Sequence, residues 1–315
     1  MAFVSQVHSG AAKVVLKKHG RSFHFASHLL GARHGERAAR LYALCRAIDD
    51  LADEATDPNS ADEKLASLSN AISSGDRSDP LVAAALTLRD ETGLQLGALQ
   101  ALIAGVRTDL KPVALADEAA LLDYAYAVAG TVGLMMCAVL DVDDPKAYPF
   151  AIDLGIAMQL TNIARDVGTD AGLARRYLPA SWVGEIAPDA LVKPNSALEA
   201  CARQAVDRTL QLAERYYESG EAGLGFLPPR ARLAILTAAR VYRAIGTRIA
   251  SEGYRPWERR AVVSGGRKIA IGLKAGAAFV LQRHLHSQHH QHDPRLHAAI
   301  QHRPGANLAG GQALG

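Results

Sequence analysis

Two helical stripes of carboxylates carry the chemistry that this sequence offers. In residues 150–179, FAIDLGIAMQLTNIARDVGTDAGLARRYLP, Gln159, Asn162, Asp166 and Asp170 follow at intervals of three, four and four. At roughly 100° per residue a helix holds all four within one stripe. Ile156, Leu160, Ile163 and Val167 supply apolar surface beside it. Two carboxylates one turn apart, with two amides on the turns before them, are costly to bury without a compensating charge. Hard ions such as Mg²⁺ take oxygen ligands of this kind, usually one or two carboxylates plus water and substrate phosphates. A lone D-x-x-x-D is as readily a solvated helix face; the apolar setting of this one favours an inward-facing site.

A second copy of the pattern lies in ARLYALCRAIDDLADE, residues 39–54. Tyr42, Arg46, Asp49, Asp50 and Asp53 share one helical face, with Leu41, Leu44, Ile48 and Leu51 mostly off it. Each stripe stands beside an arginine, Arg46 or Arg165. Facing each other across a helical bundle, the stripes would hold several Mg²⁺ ions, with Mn²⁺ as a substitute, against a diphosphate.

The elements that must position these stripes are helices. Apolar residues make up 49% of the 315 and aromatic residues only 5%. Ala and Leu abound and β-branched runs are rare, the composition of an all-α protein. Helical bundles of this length often form one domain. Periodicity predicts an amphipathic helix within 1–19, then helices at about 61–73, 80–92, 94–106, 117–140, 196–219 and 229–251. Asp79-Pro80 reads as a cap with a first-turn proline, Ser22 as a cap for FHFASHLL, and Ser196-Ala-Leu-Glu199 as a capping box. Asp144-Pro145 opens the helix with the second stripe, and Gly168 and Gly172 loosen its end. Tyr124–Leu140 is uncharged but at the short limit for a bilayer. With Gly130, Thr131 and Gly133 inside it, a buried helix with close backbone approach is the better reading. GEAGLGFLPP, 220–229, reads as a turn and not as a nucleotide fingerprint, because no strand precedes its glycines.

Net charge is +3, which argues neither way on nucleic acid, and no nucleic-acid partner is expected. Cys45, Cys137 and Cys201 lie far apart without a C-x-x-C, and read as reduced core residues of a cytoplasmic protein. The N-terminus shows no signal-peptide pattern.

At the stripes the sequence resembles the squalene/phytoene synthase family of head-to-head prenyl transferases, over roughly residues 15 to 275. The resemblance rests on Ser22-Phe23 with Ala26 and Leu29-Leu30, on LYALCRAIDDLADE, and on YAYAVAGTVGLMM (124–136). It continues through LGIAMQLTNIARDVGTD and Arg175-Arg176-Tyr177-Leu178-Pro179, and leans toward the bacterial carotenoid-forming branch. It implies a single isoprenoid-synthase-type bundle around a deep apolar cavity. The implied reaction joins two geranylgeranyl diphosphates through a cyclopropyl diphosphate to phytoene. That product forms by proton loss, so no NADPH is expected. Squalene or dehydrosqualene synthesis from farnesyl diphosphate is the alternative; a non-catalytic assembly factor of the same fold is the remoter one.

By the same resemblance Asp49, Asp53, Asp166 and Asp170, with Asn162, hold the metal. Arg46 and Arg165 assist the leaving diphosphate, and Gln159 orients metal or phosphate. Tyr42, Tyr124 and Tyr177 stabilise cationic intermediates or bind diphosphate. His19, Arg21, Ser22 and Phe23 line a diphosphate entrance. Arg175 lies in a loop near the metal site that closes over the substrate, and Tyr254, Arg259 and Arg260 are further substrate contacts. Two family positions differ: Gly31 stands where proline is usual, and Ala174 where glycine is. An upstream prenyl-diphosphate synthase or a downstream desaturase are the expected protein partners.

From Arg255 to Arg303 there are nine Lys/Arg against two Asp/Glu, plus seven histidines. The domain is expected to span 1–283, and the His-rich 284–315 to be a disordered, solvated tail. The basic bias predicts attraction to anionic lipid, hence peripheral contact with the inner membrane. The apolar stretch Ile269–Leu281 is too short to span and would lie at the interface. Packing of that stretch in the bundle is the competing expectation.

Overall fold

The computed structural model describes residues 9–306, the side chains of Ser9, His19 and Arg21 excepted. Thirteen α-helices among the described residues account for nearly all of the regular structure. α1 (Ser9–His19), α2 (Arg21–Ser27) and α3 (Ala32–Asp53) lead to a wall of α4 (Pro58–Ser74), α5 (Pro80–Thr92) and α6 (Leu96–Thr108). After α7 (Glu118–Ala125) a π-helical turn, Tyr126–Gly130, joins α8 (Thr131–Val139); α9 (Tyr148–Ala171) carries the second stripe. α10 (Ala180–Val183), α11 (Ser196–Ala222), α12 (Pro229–Ser251) and α13 (Gly265–Leu281) complete the bundle.

α9 is the central element, packed on α8, α11 and α12. Its contact with α7–α8 is close because glycines meet backbone there. A Cβ on Gly133 would lie 2.0 Å from the Ala151 carbonyl oxygen, and one on Gly155 2.2 Å from that of Ala129. Glu118–Val139 is long and apolar enough to cross a membrane, but most of its apolar window is buried inside the bundle. The close-approach reading of VAGTVG therefore holds.

Local signals are mostly obeyed. Asp79 accepts from the amides of Leu81 and Val82 at the start of α5. Two caps differ from the sequence reading. Gly20 rather than Ser22 precedes α2, and Asn195 caps α11 by accepting from Leu198, leaving Glu199 to pair with Arg255 at 2.6 Å. Gly168 does not loosen the helix end: α9 runs on to Ala171, and the missing side chain lets the Trp257 backbone approach. Cys45 and Cys137 are buried, whereas Cys201 is exposed on α11.

The largest departure is at the C-terminus, where residues 283–306 fold against the bundle instead of standing in solvent. Leu296, Ile300 and Ala306 are buried. The Tyr216 hydroxyl donates to the Leu296 carbonyl and that of Tyr126 to the Pro304 carbonyl, each at 2.6 Å. Arg303 donates to Asp123 at 2.7 Å. The physical reason is Asp153, fully buried on α9, whose two oxygens meet His297 and His292 at 2.7 and 2.8 Å. A buried carboxylate requires such partners, and composition alone cannot show that it has recruited them from 139 and 144 residues downstream.

Candidate active site

The two stripes meet. A polar pocket is lined by Arg46, Asp49 and Asp53 of α3 and by Gln159, Asn162, Arg165, Asp166 and Asp170 of α9. Tyr124, Arg175, Tyr177 and Asp109 close it. Arg175 is brought in by a two-residue parallel ladder, Val113–Ala114 with Arg175–Arg176. Its guanidinium donates to Asp53 at 3.0 Å and to the Asp109 carbonyl at 3.1 Å. Next to it, the buried Arg176 donates to the Leu115 and Leu178 carbonyls, fixing the segment from below. Ala174, the substitute for the family's glycine, has φ +58°, a left-handed conformation that glycine adopts more cheaply.

Asp109 is the residue that the sequence reading missed. It ends α6 and accepts from the hydroxyls of Tyr124 and Tyr177, both at 2.8 Å. The two rings stack with centroids 4.6 Å apart. No spacing signal marks this aspartate, because α6 carries no second carboxylate; its role appears only when three distant segments converge.

Electrostatics divides the carboxylates into two kinds. Burial, with Asp53, Asp50 and Asp109 nearby and only Arg46 opposing, pushes Asp49 up to about 7. Burial, with Asp166 and Asp109 adding and Arg175 and Arg165 opposing, does the same to Asp170, also to about 7. Burial raises Asp166 too, but bonds from Arg165 and Arg260 outweigh it and hold this carboxyl below the ordinary range. Arg260 Nε reaches Asp166 at 2.7 Å, so of the weaker family positions this one joins the site. Asp50 is buried and pairs with Arg46, outside the pocket lining.

Beyond the polar end the pocket continues as an apolar cavity of about 360 Å³. Its walls run from Asn162 and Gln159 along α9 to Phe150 and Ala147, with Tyr42, Arg46 and Asp49 at the same polar end. Along α9, from Phe150 to Asn162, this is roughly 18 Å at 1.5 Å per residue. Phe23 lines the cavity and packs on Tyr42 and Tyr242 with centroids 6.2 and 5.0 Å away. Tyr242 is thus a second residue that the site reading missed. Burial raises the Tyr42 and Tyr242 phenols above their ordinary pKa, so they present neutral rings.

Several anticipated residues are not brought together with these. Ser22 lines neither cavity, and the side chains of His19 and Arg21 lie outside the described residues. Tyr254, at φ +59°, interacts with Asp207 and lines neither the cavity nor the polar pocket. Arg259 bonds Glu252 instead of an aspartate of the site.

The polar pocket suits a hard cation. The buried Asn162 Oδ1 has no hydrogen-bond partner, while the amide nitrogen of the same side chain donates to Gln159 at 3.3 Å. An unpaired carbonyl oxygen beside crowded carboxylates is an all-oxygen donor set with excess negative charge.

Residues 16–267 match the squalene/phytoene synthase family. The chain is 36% identical over 283 residues to a phytoene synthase of Cereibacter sphaeroides, covering 85% of this chain and 79% of that one. It is likewise 36% identical over 282 residues to a 15-cis-phytoene synthase of Enterobacter agglomerans, covering 84% and 93%. Among solved structures it is similar to a dehydrosqualene synthase in complex with ligand. The TM-score is 0.75 at 25% identity, over 88% of this chain and 98% of the other. A squalene synthase from Alicyclobacillus acidocaldarius shares the fold with TM-score 0.68 at 21% identity, over 78% and 94%.

Proposed function

The chain belongs to the squalene/phytoene synthase family, and from that premise we propose that it joins two geranylgeranyl diphosphates head to head to give 15-cis-phytoene. The observation that carries the choice of product is the relationship to bacterial phytoene synthases at 34–37% identity over most of the chain. The apolar cavity that continues from the polar pocket along α9 supports a long prenyl donor.

Asp49, Asp53, Asp166 and Asp170, with Asn162 Oδ1, would hold Mg²⁺ or Mn²⁺. The bound cation supplies Lewis-acid neutralisation of the leaving diphosphate. Arg46, Arg165 and Arg175 add fixed positive charge beside the same oxygens. Asp109 holds Tyr124 and Tyr177 by their hydroxyls, so these two act on the polar side. Tyr42, Tyr242 and Phe23 face the cavity and stabilise allylic and cyclopropylcarbinyl cations through their ring faces. The dry walls keep water from quenching the cation, so that it ends by losing a proton. Donor preference tests the choice of product: kcat/KM for geranylgeranyl diphosphate is expected to exceed that for farnesyl diphosphate at least tenfold, about 1.4 kcal/mol. The reverse preference assigns the dehydrosqualene or squalene reaction.

The raised carboxyls of Asp49 and Asp170 make the cation's effect pH-dependent. Their folded values near 7 exceed the unfolded value of about 3.9. Between the two the metal-free folded state binds more protons than the unfolded state, so its stability falls as pH rises through that window. A cation compensates the ionised forms. The rise in melting temperature on adding Mg²⁺ is therefore expected to be larger at about pH 8 than at about pH 5.5. An equal rise at both would contradict this ligand set.

We further propose contact with an anionic lipid surface through α13. Ile269, Leu273, Val280 and Leu281 are 57–78% exposed; the first three fall on one stripe at helical spacing and Leu281 stands at its edge. Arg267, Lys274 and Arg283 are exposed around it. Ala275 and Ala278 are buried on the opposite side, and Gly272 lies against Phe25 of α2, next to the cavity-lining Phe23 and Ala26. An interfacial helix of this make-up binds by apolar burial plus attraction to anionic headgroups. Leu273→Asp/Val280→Asp is expected to reduce co-sedimentation with anionic vesicles at least tenfold while leaving the fold intact. Unchanged binding would remove α13 from the interaction.

A further inference from the structure

We propose that Asp153, His292 and His297 form a binding site for a structural transition-metal dication of the Zn²⁺ class, separate from the reaction centre and independent of the reaction assigned to it. The three side chains are 0%, 11% and 2% exposed, and their ligand atoms lie within 4.8 Å of one another. Two imidazoles and one carboxylate are a nitrogen-rich donor set that suits Zn²⁺, Co²⁺ or Ni²⁺. The all-oxygen pocket at the aspartate stripes suits Mg²⁺ instead.

The hydrogen-bond roles point the same way. His297 Nδ1 lies 2.7 Å from the Ala306 carbonyl oxygen, which can only accept, so Nδ1 carries a proton. In neutral imidazole that leaves the Nε2 lone pair aimed at Asp153 Oδ1, 2.7 Å away. Two lone pairs so close require a positive centre between them, a second proton or a metal ion. A backbone carbonyl on the far ring nitrogen is the usual outer support of a metal-bound histidine. The carboxylate is supported too: Ser219 Oγ donates to Asp153 Oδ2 at 2.5 Å. Phe150 stands edge-on to His292 with centroids 5.4 Å apart, forming an apolar wall.

The present spacings are those of hydrogen bonds. Metal bonds of about 2.0–2.1 Å in a tetrahedron need donors about 3.4 Å apart, so the two bonded pairs must open by roughly half an ångström while the wider spacing among the three ligand atoms, up to 4.8 Å, closes. Both histidines belong to a segment held outside the long helices, where such a shift is cheap. The slight exposure of His292 leaves a side open for a water ligand. Asp153 stands beside Leu154 and Gly155, which line the apolar cavity, so a metal here would pin the C-terminal segment to the cavity wall.

The test uses full-length protein stripped with EDTA and titrated with ZnCl₂ by calorimetry in the presence of excess Mg²⁺. The proposal expects one Zn²⁺ per chain at micromolar affinity or tighter, and a melting temperature raised by several degrees at about 100-fold excess over Kd. Asp153→Asn and His297→Gln should each abolish that step, Ser219→Ala should weaken it about tenfold, and His289→Gln/His290→Gln should leave it unchanged. No stoichiometric binding by the parent protein, or loss only in the His289/His290 variant, overturns the proposal. Should the buried variants fail to fold, the Co²⁺-loaded parent decides: intense tetrahedral visible bands support the site, and a weak octahedral spectrum overturns it.

Discussion

Exchanging Asp49 and Asp170 together for asparagine is expected to lower turnover at least about 10³-fold while raising the melting temperature of the metal-free protein at pH 8. The opposite signs share one cause. Both carboxyls are pushed up to about 7 by burial and neighbouring aspartates, so ionising them at pH 8 costs folding free energy. Asparagine keeps the shape and removes that cost. It also removes charge that would hold the dication against a departing diphosphate, an electrostatic loss of the kind worth about 10²–10³ per group. Stability and activity then separate as they do at strained catalytic sites. The measurement is a steady-state assay with saturating Mg²⁺ beside thermal unfolding in EDTA. Near-normal turnover by a folded double variant would contradict the metal assignment. So would a parallel fall of both quantities.

Ending the chain at Gln291 is expected to destabilise the protein by at least about 5 kcal/mol, and so to leave little folded material. The cut removes His292 and His297, leaving the carboxylate of Asp153 buried without its imidazole partners, and loss of one partner from a buried pair costs about 3–5 kcal/mol. It removes Leu296 and Ile300 from the core, worth about 1.5–3 kcal/mol each. The hydroxyls of Tyr126 and Tyr216 lose their carbonyl acceptors as well, at about 1–3 kcal/mol each where they remain buried. These terms are not additive, but the first alone is a large share of a typical stability of 5–15 kcal/mol. Urea unfolding of the full and shortened chains reads the effect. Coincident midpoints would show that the segment contributes nothing to the core.

That segment also shows where sequence reasoning stops. The helices were legible because their signals are local: periodicity, a proline in the first turn, an aspartate before it. α5 begins where Asp79-Pro80 says it should and ends at Thr92, within the 80–92 read from the periodicity. The carboxylate stripes were legible because D-x-x-x-D at helical spacing is a pattern inside a single element, and there are two. Asp109 was not, since it acts on Tyr124 and Tyr177 from a third segment with no repeat of its own. Tyr242 reached the aromatic cluster in the same way, through contact with Phe23 of α2. The histidines of 284–302 read as polar bulk, because composition counts residues and cannot see that a buried Asp153 waits on a distant helix.

The assignment to phytoene formation is tested most directly by the hydrocarbon released from geranylgeranyl diphosphate with Mg²⁺ and without NADPH. Extraction and mass spectrometry are expected to find a forty-carbon product with the mass of phytoene, formed at the same rate when NADPH is added. A requirement for NADPH, or turnover confined to farnesyl diphosphate with a thirty-carbon product, would contradict it.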